Sequence, residues 1–117
     1  MKYMLLIADD PAARPTSPSD EEKLNAEYGA FTQAIVDSRE LVGADRLRGV
    51  DAATSVRVRD GRTMATDGPF AETKEHLGGY YLVDVPDLDR AVALAARIPA
   101  ARTGVIEVRP IWELGEA

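Results

Sequence analysis

The stretch YYLVDVPDLDRAVALAARI, residues 80–98, decides the fold class because it joins a strand pattern directly to a helix pattern. Tyr80 to Val85 consists mainly of the aromatic and β-branched side chains that are typical of strands. Asp87 is a favoured N-cap residue, and the apolar residues after it recur on one side of a helix. Those residues are Leu88, Ala91, Val92, Ala95 and Ile98. Pro99 ends the predicted helix.

The first forty residues predict a second strand and helix. Lys2 to Ala8 is apolar at both phases of a two-residue period, which is typical of a central strand covered on both faces. Asp9 to Asp20 contains three prolines and is interpreted as a loop. Ser19 and Glu22 match a capping box, so we expect a helix from Asp20 to Ser38. Its apolar stripe is Leu24, Tyr28, Phe31 and Ile35, of which the aromatic pair is interpreted as core.

The middle of the chain predicts further strands. Leu41 to Leu47 indicates a short or edge strand, and Asp60-Gly61 is a hairpin signal between Ser55–Arg59 and Arg62–Thr66. A strict two-residue turn would place Arg59 opposite Arg62, so either both are solvated or the turn carries a bulge. Val105 to Trp112 forms the last predicted strand. Its Pro110 is tolerable only at a sheet edge or a bulge.

The resulting order, β-α-β-β-β-β-α-β, predicts an α+β fold in which two helices cover one face of a mostly antiparallel sheet. A chain of 117 residues is expected to form one domain, residues 1–117. The second face of the sheet carries apolar and aromatic side chains from the first strand and from Tyr80-Tyr81. Such a face is too apolar to stay in water, so we expect two copies to dimerise face to face.

Composition excludes several classes of function. A net charge of -6 argues against direct nucleic-acid binding, which needs a basic surface. No run of apolar residues approaches the roughly 20 that a membrane span requires, and no secretory signal pattern is present. The chain has no cysteine, which excludes disulfides and agrees with a reducing compartment. These features predict a cytoplasmic protein.

The stretch TDGPFAETKEHLGGYY, residues 66–81, carries the candidate site. Asp67-Gly68-Pro69 predicts a tight turn in which Gly68 accepts a positive φ. Phe70 is interpreted first as a core residue and second as a stacking contact for a ligand. Gly78-Gly79 predicts a close backbone approach or a bulge where the next strand begins.

The charged run from Glu72 to His76 is interpreted either as solvated surface or as a binding site. In the second case Thr73 and Lys74 donate hydrogen bonds to a ligand, and Asp67 and Glu72 accept them. His76, the sole histidine, can then transfer a proton, paired with one of those carboxylates. One histidine without a second histidine or cysteine at ligand spacing does not predict a metal site. No P-loop or dinucleotide fingerprint is present, so no cofactor is expected.

The strings TDGPFAETKE, LGGYYLVDV and VIEVRPI resemble the YCII-related superfamily, specifically its DGPF branch, over nearly the whole chain. The resemblance implies a ferredoxin-like fold that assembles as a dimeric α+β barrel. Relatives, including a dehydrochlorinase of chlorinated hydroxyquinols, are thought to use a histidine-aspartate pair with the histidine on the first helix. The first helix of this chain has no histidine, and Tyr28 is the nearest polar aromatic residue there.

Two functional hypotheses follow. In the first, the chain binds a small polar or aromatic metabolite, or acts on it as a lyase- or isomerase-like enzyme. The pocket then lies between the first helix and the sheet, with Asp67 and His76 as catalytic candidates and Tyr28, Phe70, Glu72, Thr73 and Lys74 as ligand contacts. In the second, the chain is a non-catalytic regulatory or interaction protein. The resemblance implies that role too, because some DGPF proteins are linked to transcription through genes for sigma factors.

Overall fold

The computed structural model describes residues 1–115, and within that range the chain forms two α-helices and six strands. The helices and strands are β1 (Lys2–Asp9), α1 (Pro18–Asp37), β2 (Leu41–Arg46), β3 (Thr54–Arg59), β4 (Arg62–Asp67), β5 (His76–Asp84), α2 (Leu88–Ala95) and β6 (Val105–Pro110). Short 3-10 turns occupy Pro11–Ala13, Val50–Ala52 and Pro99–Arg102.

The main sheet has four antiparallel strands in the order β2-β5-β1-β6. With α1 between β1 and β2 and α2 between β5 and β6, this is the split βαβ arrangement of ferredoxin-like folds. The predicted α+β class and the central position of β1 are therefore confirmed. The hairpin β3–β4 forms a separate two-stranded sheet instead of extending the main one.

Only one face of the main sheet is buried within the chain. Along β1, Tyr3, Leu5 and Ile7 are buried, while Met4 and Leu6 between them are half-buried. The buried side chains pack with residues of both helices in one core cluster. The prediction that β1 is covered on both faces is therefore wrong for the chain by itself, because both helices lie on the same side of the sheet.

The first helix begins two residues earlier than predicted. Ser17, not Ser19, is the N-cap: its side chain accepts a hydrogen bond of 3.2 Å from the backbone N–H of Asp20. Pro18 then occupies the first helical position, where its missing N–H costs nothing. Further along α1, Phe31 packs edge-on against Tyr81 of β5, with ring centroids 5.2 Å apart. This contact ties the helix to the middle of the sheet.

The later elements agree closely with the sequence pattern. Asp87 caps α2 by accepting a hydrogen bond of 2.9 Å from the Arg90 N–H. The helix buries Leu94 completely, and the 3-10 turn at Pro99–Arg102 follows it. The last strand is shorter than predicted and ends at Pro110, on the edge strand β6, where a proline is tolerated.

The hairpin turn is a strict two-residue turn. Asp60 and Gly61 have φ values of 53° and 73°, the combination that a type I′ turn requires. Arg59 and Arg62 are paired directly across the two strands, and both are exposed. Of the two alternatives left open by the sequence, solvated arginines are therefore correct. No helix in the described part of the chain is long and apolar enough to span a membrane.

A bidentate ion pair joins Glu40, in the loop after α1, to Arg90 in the first turn of α2. Arg90 donates from Nε to Glu40 Oε2 at 2.7 Å and from Nη2 to Oε1 at 2.8 Å. Ser38 Oγ adds a third hydrogen bond to Glu40 at 2.6 Å. These donors, Arg90 first, lower the pKa of Glu40 from its ordinary value of 4.5 to about 2. The pair therefore stabilises the fold only while Glu40 is ionised.

We expect Glu40→Gln to lower the free energy of unfolding by about 1–2 kcal/mol at neutral pH, since Arg90 is partly exposed and solvent screens the pair. The folded-state pKa of Glu40 is depressed, so this contribution is complete above pH 4.5 and is lost as pH falls towards about 2. Urea unfolding of both proteins across this range measures the difference. Glu75→Gln, at an exposed carboxylate, is the control, and a gap that stays constant down to pH 2 would contradict the linkage.

Candidate functional site

The predicted turn after β4 is hydrogen-bonded to the start of β3. We call these contacts of Gly68 with Ala53 and Ser55 the clasp. Gly68 has a φ of 100°, which favours glycine, as the sequence predicted. Its N–H donates to the Ala53 carbonyl at 2.8 Å, and its own carbonyl accepts from Ser55 Oγ at 2.7 Å. Asp67 closes β4 opposite Thr54, and its side chain is exposed. The clasp closes the base of the hairpin.

Phe70 is 85% exposed, so its predicted core role is wrong. It belongs to residues 68–75, which form neither helix nor strand and are here called the connecting segment. This segment runs from the outlying hairpin back to the sheet, so its side chains do not reach the core between the helices and β1. A ligand contact by Phe70 stays a prediction.

The charged residues of the connecting segment are solvated. Glu72, Thr73 and Lys74 are all exposed, and Thr73 Oγ1 donates to the Glu75 carbonyl. Lys74 Nζ lies 4.0 Å from Asp10 Oδ2, a long contact of a side chain that is 84% exposed. The segment thus approaches the end of β1 without forming a closed pocket there.

His76 is the first residue of β5 and pairs with Asp9, the last residue of β1. Its side chain is half-buried. It lies in a different element from Asp67, at the opposite end of the connecting segment. The two catalytic candidates therefore lie on different sheets: Asp67 is on the hairpin and His76 is on the main sheet.

Both predictions for the double glycine are confirmed. Ile7 pairs with Gly79 whereas Ala8 pairs with Leu77, which leaves Gly78 as the extra residue of a β-bulge. A Cβ at Gly79 would lie 2.8 Å from the Asp45 carbonyl oxygen on β2, too close for any other side chain. The bulge turns the end of β5 towards the loop after β1.

A cleft of about 270 Å³ opens beside that bulge, between α1, the loop after β1 and the 3-10 turn at Pro99–Arg102. Asp9 and Arg14 form its sheet side through a paired contact, Nε to Oδ2 at 3.0 Å and Nη2 to Oδ1 at 2.8 Å. Tyr28 lines it from α1 and is the one predicted ligand residue among its lining residues. The cleft lies beside the first helix, and the connecting segment does not line it. A pocket between that helix and the sheet, closed by residues 67–76, stays a prediction.

Sequence reasoning missed Asp9 and Arg14. Both lie in or next to a proline-containing stretch that was interpreted only as a loop. The available signal was the position of Asp9 at the end of an apolar central strand, where a side chain faces the same loop that supplies Arg14. A spacing of five residues between opposite charges in a loop has no fixed geometry, so the pair could not be derived.

The Tyr28 phenol is a titratable group of the cleft whose pKa is shifted. Burial raises its pKa above 10, and a hydrogen bond with the Ala100 backbone offsets part of the rise. The phenol is therefore uncharged at neutral pH. On the outer side of the cleft, Arg102 Nη2 donates to Glu27 Oε2 at 2.7 Å.

The YCII-related domain model matches residues 1–115, which is the whole length that the structure describes. The chain belongs to the YCII-related family. A relative in the same comparison is an uncharacterized protein of Rhizobium meliloti, 36% identical over 114 residues, covering 95% of this chain and 92% of the relative. Membership agrees with the ferredoxin-like topology and assigns no reaction.

This YCII-related protein presents no arrangement of three or more carboxylate or histidine side chains fit to hold a metal ion within residues 1–115. The charged groups around the cleft are instead paired as Asp9 with Arg14 and Glu27 with Arg102. Paired charges of this kind suit the recognition of a polar organic ligand by hydrogen bonds.

We expect Gly79→Ala to destabilise this YCII-related protein by about 1–3 kcal/mol, because the added methyl would displace the β2 backbone. Gly29→Ala is the control, since a Cβ at that helical position meets nothing within 4 Å. The control should gain about 0.5–1 kcal/mol from helix propensity. Thermal and urea unfolding measure both. Equal effects of the two substitutions would show that Gly79 is not sterically required.

Proposed function

We propose that this YCII-related protein is a homodimer that binds a small polar or aromatic metabolite in the cleft beside Tyr28. The cleft itself is the observation that carries the proposal, because it combines apolar walls with an uncharged phenol and two ion pairs. Small-molecule sites commonly combine apolar walls with a few convergent polar groups. The location in the cytoplasm stays a prediction.

We also propose that the connecting segment closes over the cleft when a ligand is bound. Two contacts support it: Lys74 approaches Asp10, and His76 pairs with Asp9, which lines the cleft. Closure of this segment would bring Lys74 or Thr73 towards a bound ligand, while His76 stays at the end of β5 beside Asp9. Proton transfer by His76, with Asp67 or Glu72 as its acidic partner, would make the protein a lyase- or isomerase-like enzyme. Without that transfer it is a binding protein.

Tyr28→Phe tests the cleft by removing one hydroxyl group. In a screen of metabolites by thermal shift, ligands that stabilise the wild type should stabilise Tyr28→Phe by less, because a buried hydrogen bond is lost. Tyr80→Phe is the matched control, since the Tyr80 hydroxyl lies on the other face of the sheet and donates to Asp45 Oδ2 at 2.6 Å. Undiminished shifts in Tyr28→Phe would place the ligand elsewhere.

The same screen tests the cover. If the connecting segment closes over the ligand, Asp67→Ala and His76→Ala should reduce the ligand-induced shift without lowering the melting temperature of the free protein, because both side chains lie outside the core. Full shifts in both variants would remove these residues from the site.

The homodimer is supported by the second face of the main sheet. Met4 and Leu6 of β1 lie beside Leu82 and Tyr80 of β5 on the face opposite the helices, and all four are half-buried. In the described part of the chain neither helix packs on them. An apolar patch of this kind on a central pair of strands is typical of an interface.

Light scattering should give about twice the chain mass of 12.7 kDa at micromolar concentration. Leu6→Glu should give the single-chain mass, because a carboxylate would be buried without a partner in the interface. Leu88→Glu, at an exposed leucine in the first turn of α2, is the control and should remain dimeric. A wild-type mass near 12.7 kDa would contradict the dimer.

A regulatory or interaction role is the second candidate. The hairpin favours it, because Val56 and Val58 are 61% and 58% exposed on a projecting two-stranded sheet, with Phe70 exposed beyond it. Hairpins of two strands are marginally stable in water, so a partner surface would stabilise this one. A screen in which no metabolite stabilises the wild type would favour this role over metabolite binding.

A further inference from the structure

Arg14 is held by Asp9 along the Nε–Nη2 edge of its guanidinium group, and we infer that the adjacent edge, formed by Nη1 and Nη2, binds the carboxylate of the ligand. This inference rests on the proposed function and names the ligand class of the same cleft: a compact monocarboxylate with an apolar body. Asp9 is then a positioning residue and Arg14 the group that contacts the ligand.

The hydrogen bonds of Arg14 leave a defined set of donors. Asp9 takes the Nε and Nη2 hydrogens that point along one edge of the guanidinium. An arginine has five N–H donors in a fixed plane. The edge formed by Nη1 and the second hydrogen of Nη2 has no protein acceptor within residues 1–115. Two parallel N–H groups of this kind match the two oxygens of a carboxylate.

The Arg14 side chain is 41% exposed, but its guanidinium is oriented by a less exposed partner. The Asp9 side chain is only 18% exposed, so water competes weakly for its oxygens. Behind the pair lies the bulge of β5, where a Cβ at Gly78 would be 3.5 Å from Arg14 Nη2 and 3.7 Å from Asp9 Oδ1. The bulge therefore forms the back wall against which the guanidinium rests. A donor group with a fixed orientation loses less entropy when a ligand binds.

The charges around the cleft favour one negative charge on the ligand. The lining contains three cations and three carboxylates: Arg14, Lys23 and Arg102 against Asp9, Asp20 and Glu27. Any anion in the cleft is repelled by these carboxylates, and because the repulsion scales with the ligand's charge it is smaller for a monoanion than for a dianion such as phosphate. The phenol of Tyr28 is uncharged at neutral pH and adds no further repulsion.

The volume and the apolar lining of the cleft indicate the size and the polarity of the remainder of the ligand. Its volume of about 270 Å³ lies near the lower end of the range of roughly 300–1,000 Å³ that is typical of ligand pockets, which suits a compact ligand. The apolar part of the lining is made by Ala13, Pro15, Leu24, Pro99 and Ala100. An aromatic or branched aliphatic acid fits these walls.

Calorimetric titration with para-hydroxybenzoate and para-hydroxybenzamide tests the subsite, because the two probes match in size and differ in charge. We expect the wild type to bind the acid about tenfold or more tightly than the amide, as charge-assisted hydrogen bonds imply. Arg14→Gln should lose this preference. Arg57→Gln, at an exposed arginine on β3 outside the cleft, should keep it.

Asp9→Asn tests whether Asp9 acts by orienting Arg14 or only by adding a negative charge to the cleft. Removing a negative charge from the cleft would by itself tighten binding of the acid. If Asp9 orients Arg14, the same substitution should instead weaken binding several-fold, because the guanidinium loses its ordered edge. Urea unfolding of each variant confirms that it is folded at the titration temperature. Tighter binding by Asp9→Asn would overturn the positioning role.

The remaining outcomes distinguish this inference from the proposed function. Equal affinity of the wild type for acid and amide, a preference that persists in Arg14→Gln, or no binding of either probe would each overturn the carboxylate subsite. Metabolites that stabilise the wild type through Tyr28 would still support the cleft as a binding site. The proposed function fails only if that separate screen shows no stabilisation that depends on Tyr28.

Discussion

The antiparallel pairing of β1 with β5 is the interaction on which the rest of the structure depends. It places Leu5 beside Tyr81 and Tyr3 beside Val83 on one face, and these side chains form the floor on which both helices pack. The same alternation sends Leu6 and Tyr80 to the other face. Because a strand turns successive side chains to opposite faces, one register sets both the core and the exposed patch.

The end of this pairing also builds the cleft. The bulge at Gly78 interrupts the register where β1 finishes, so Asp9 and His76 become neighbours at the sheet end. Arg14 returns to Asp9 from the following loop, and Tyr28 reaches the same place from α1. The Glu40–Arg90 pair connects the loop between α1 and β2 to the first turn of α2.

The failures of prediction have separate physical causes. Ser17 and Ser19 are both suitable N-caps, and the choice went to Ser17 because Pro18 then fits the first helical position. Phe70 is apolar, yet its backbone lies in the connecting segment away from the core, so its hydrophobicity could not decide its burial. Arg14 lies in the cleft only because the loop after β1 folds back and places its side chain against Asp9. Local pattern carries little information about such long-range placement.

By itself the sequence determined the α+β class, the two helices, the central strand and the hairpin at Asp60-Gly61, because each depends on local turn chemistry and on periodicity. Only the tertiary structure decided that the hairpin stands apart from the main sheet and that Asp9, Arg14 and Tyr28 share one cleft. These features depend on how distant elements pack, and packing is a property of the whole chain. A short stretch of sequence does not determine such packing.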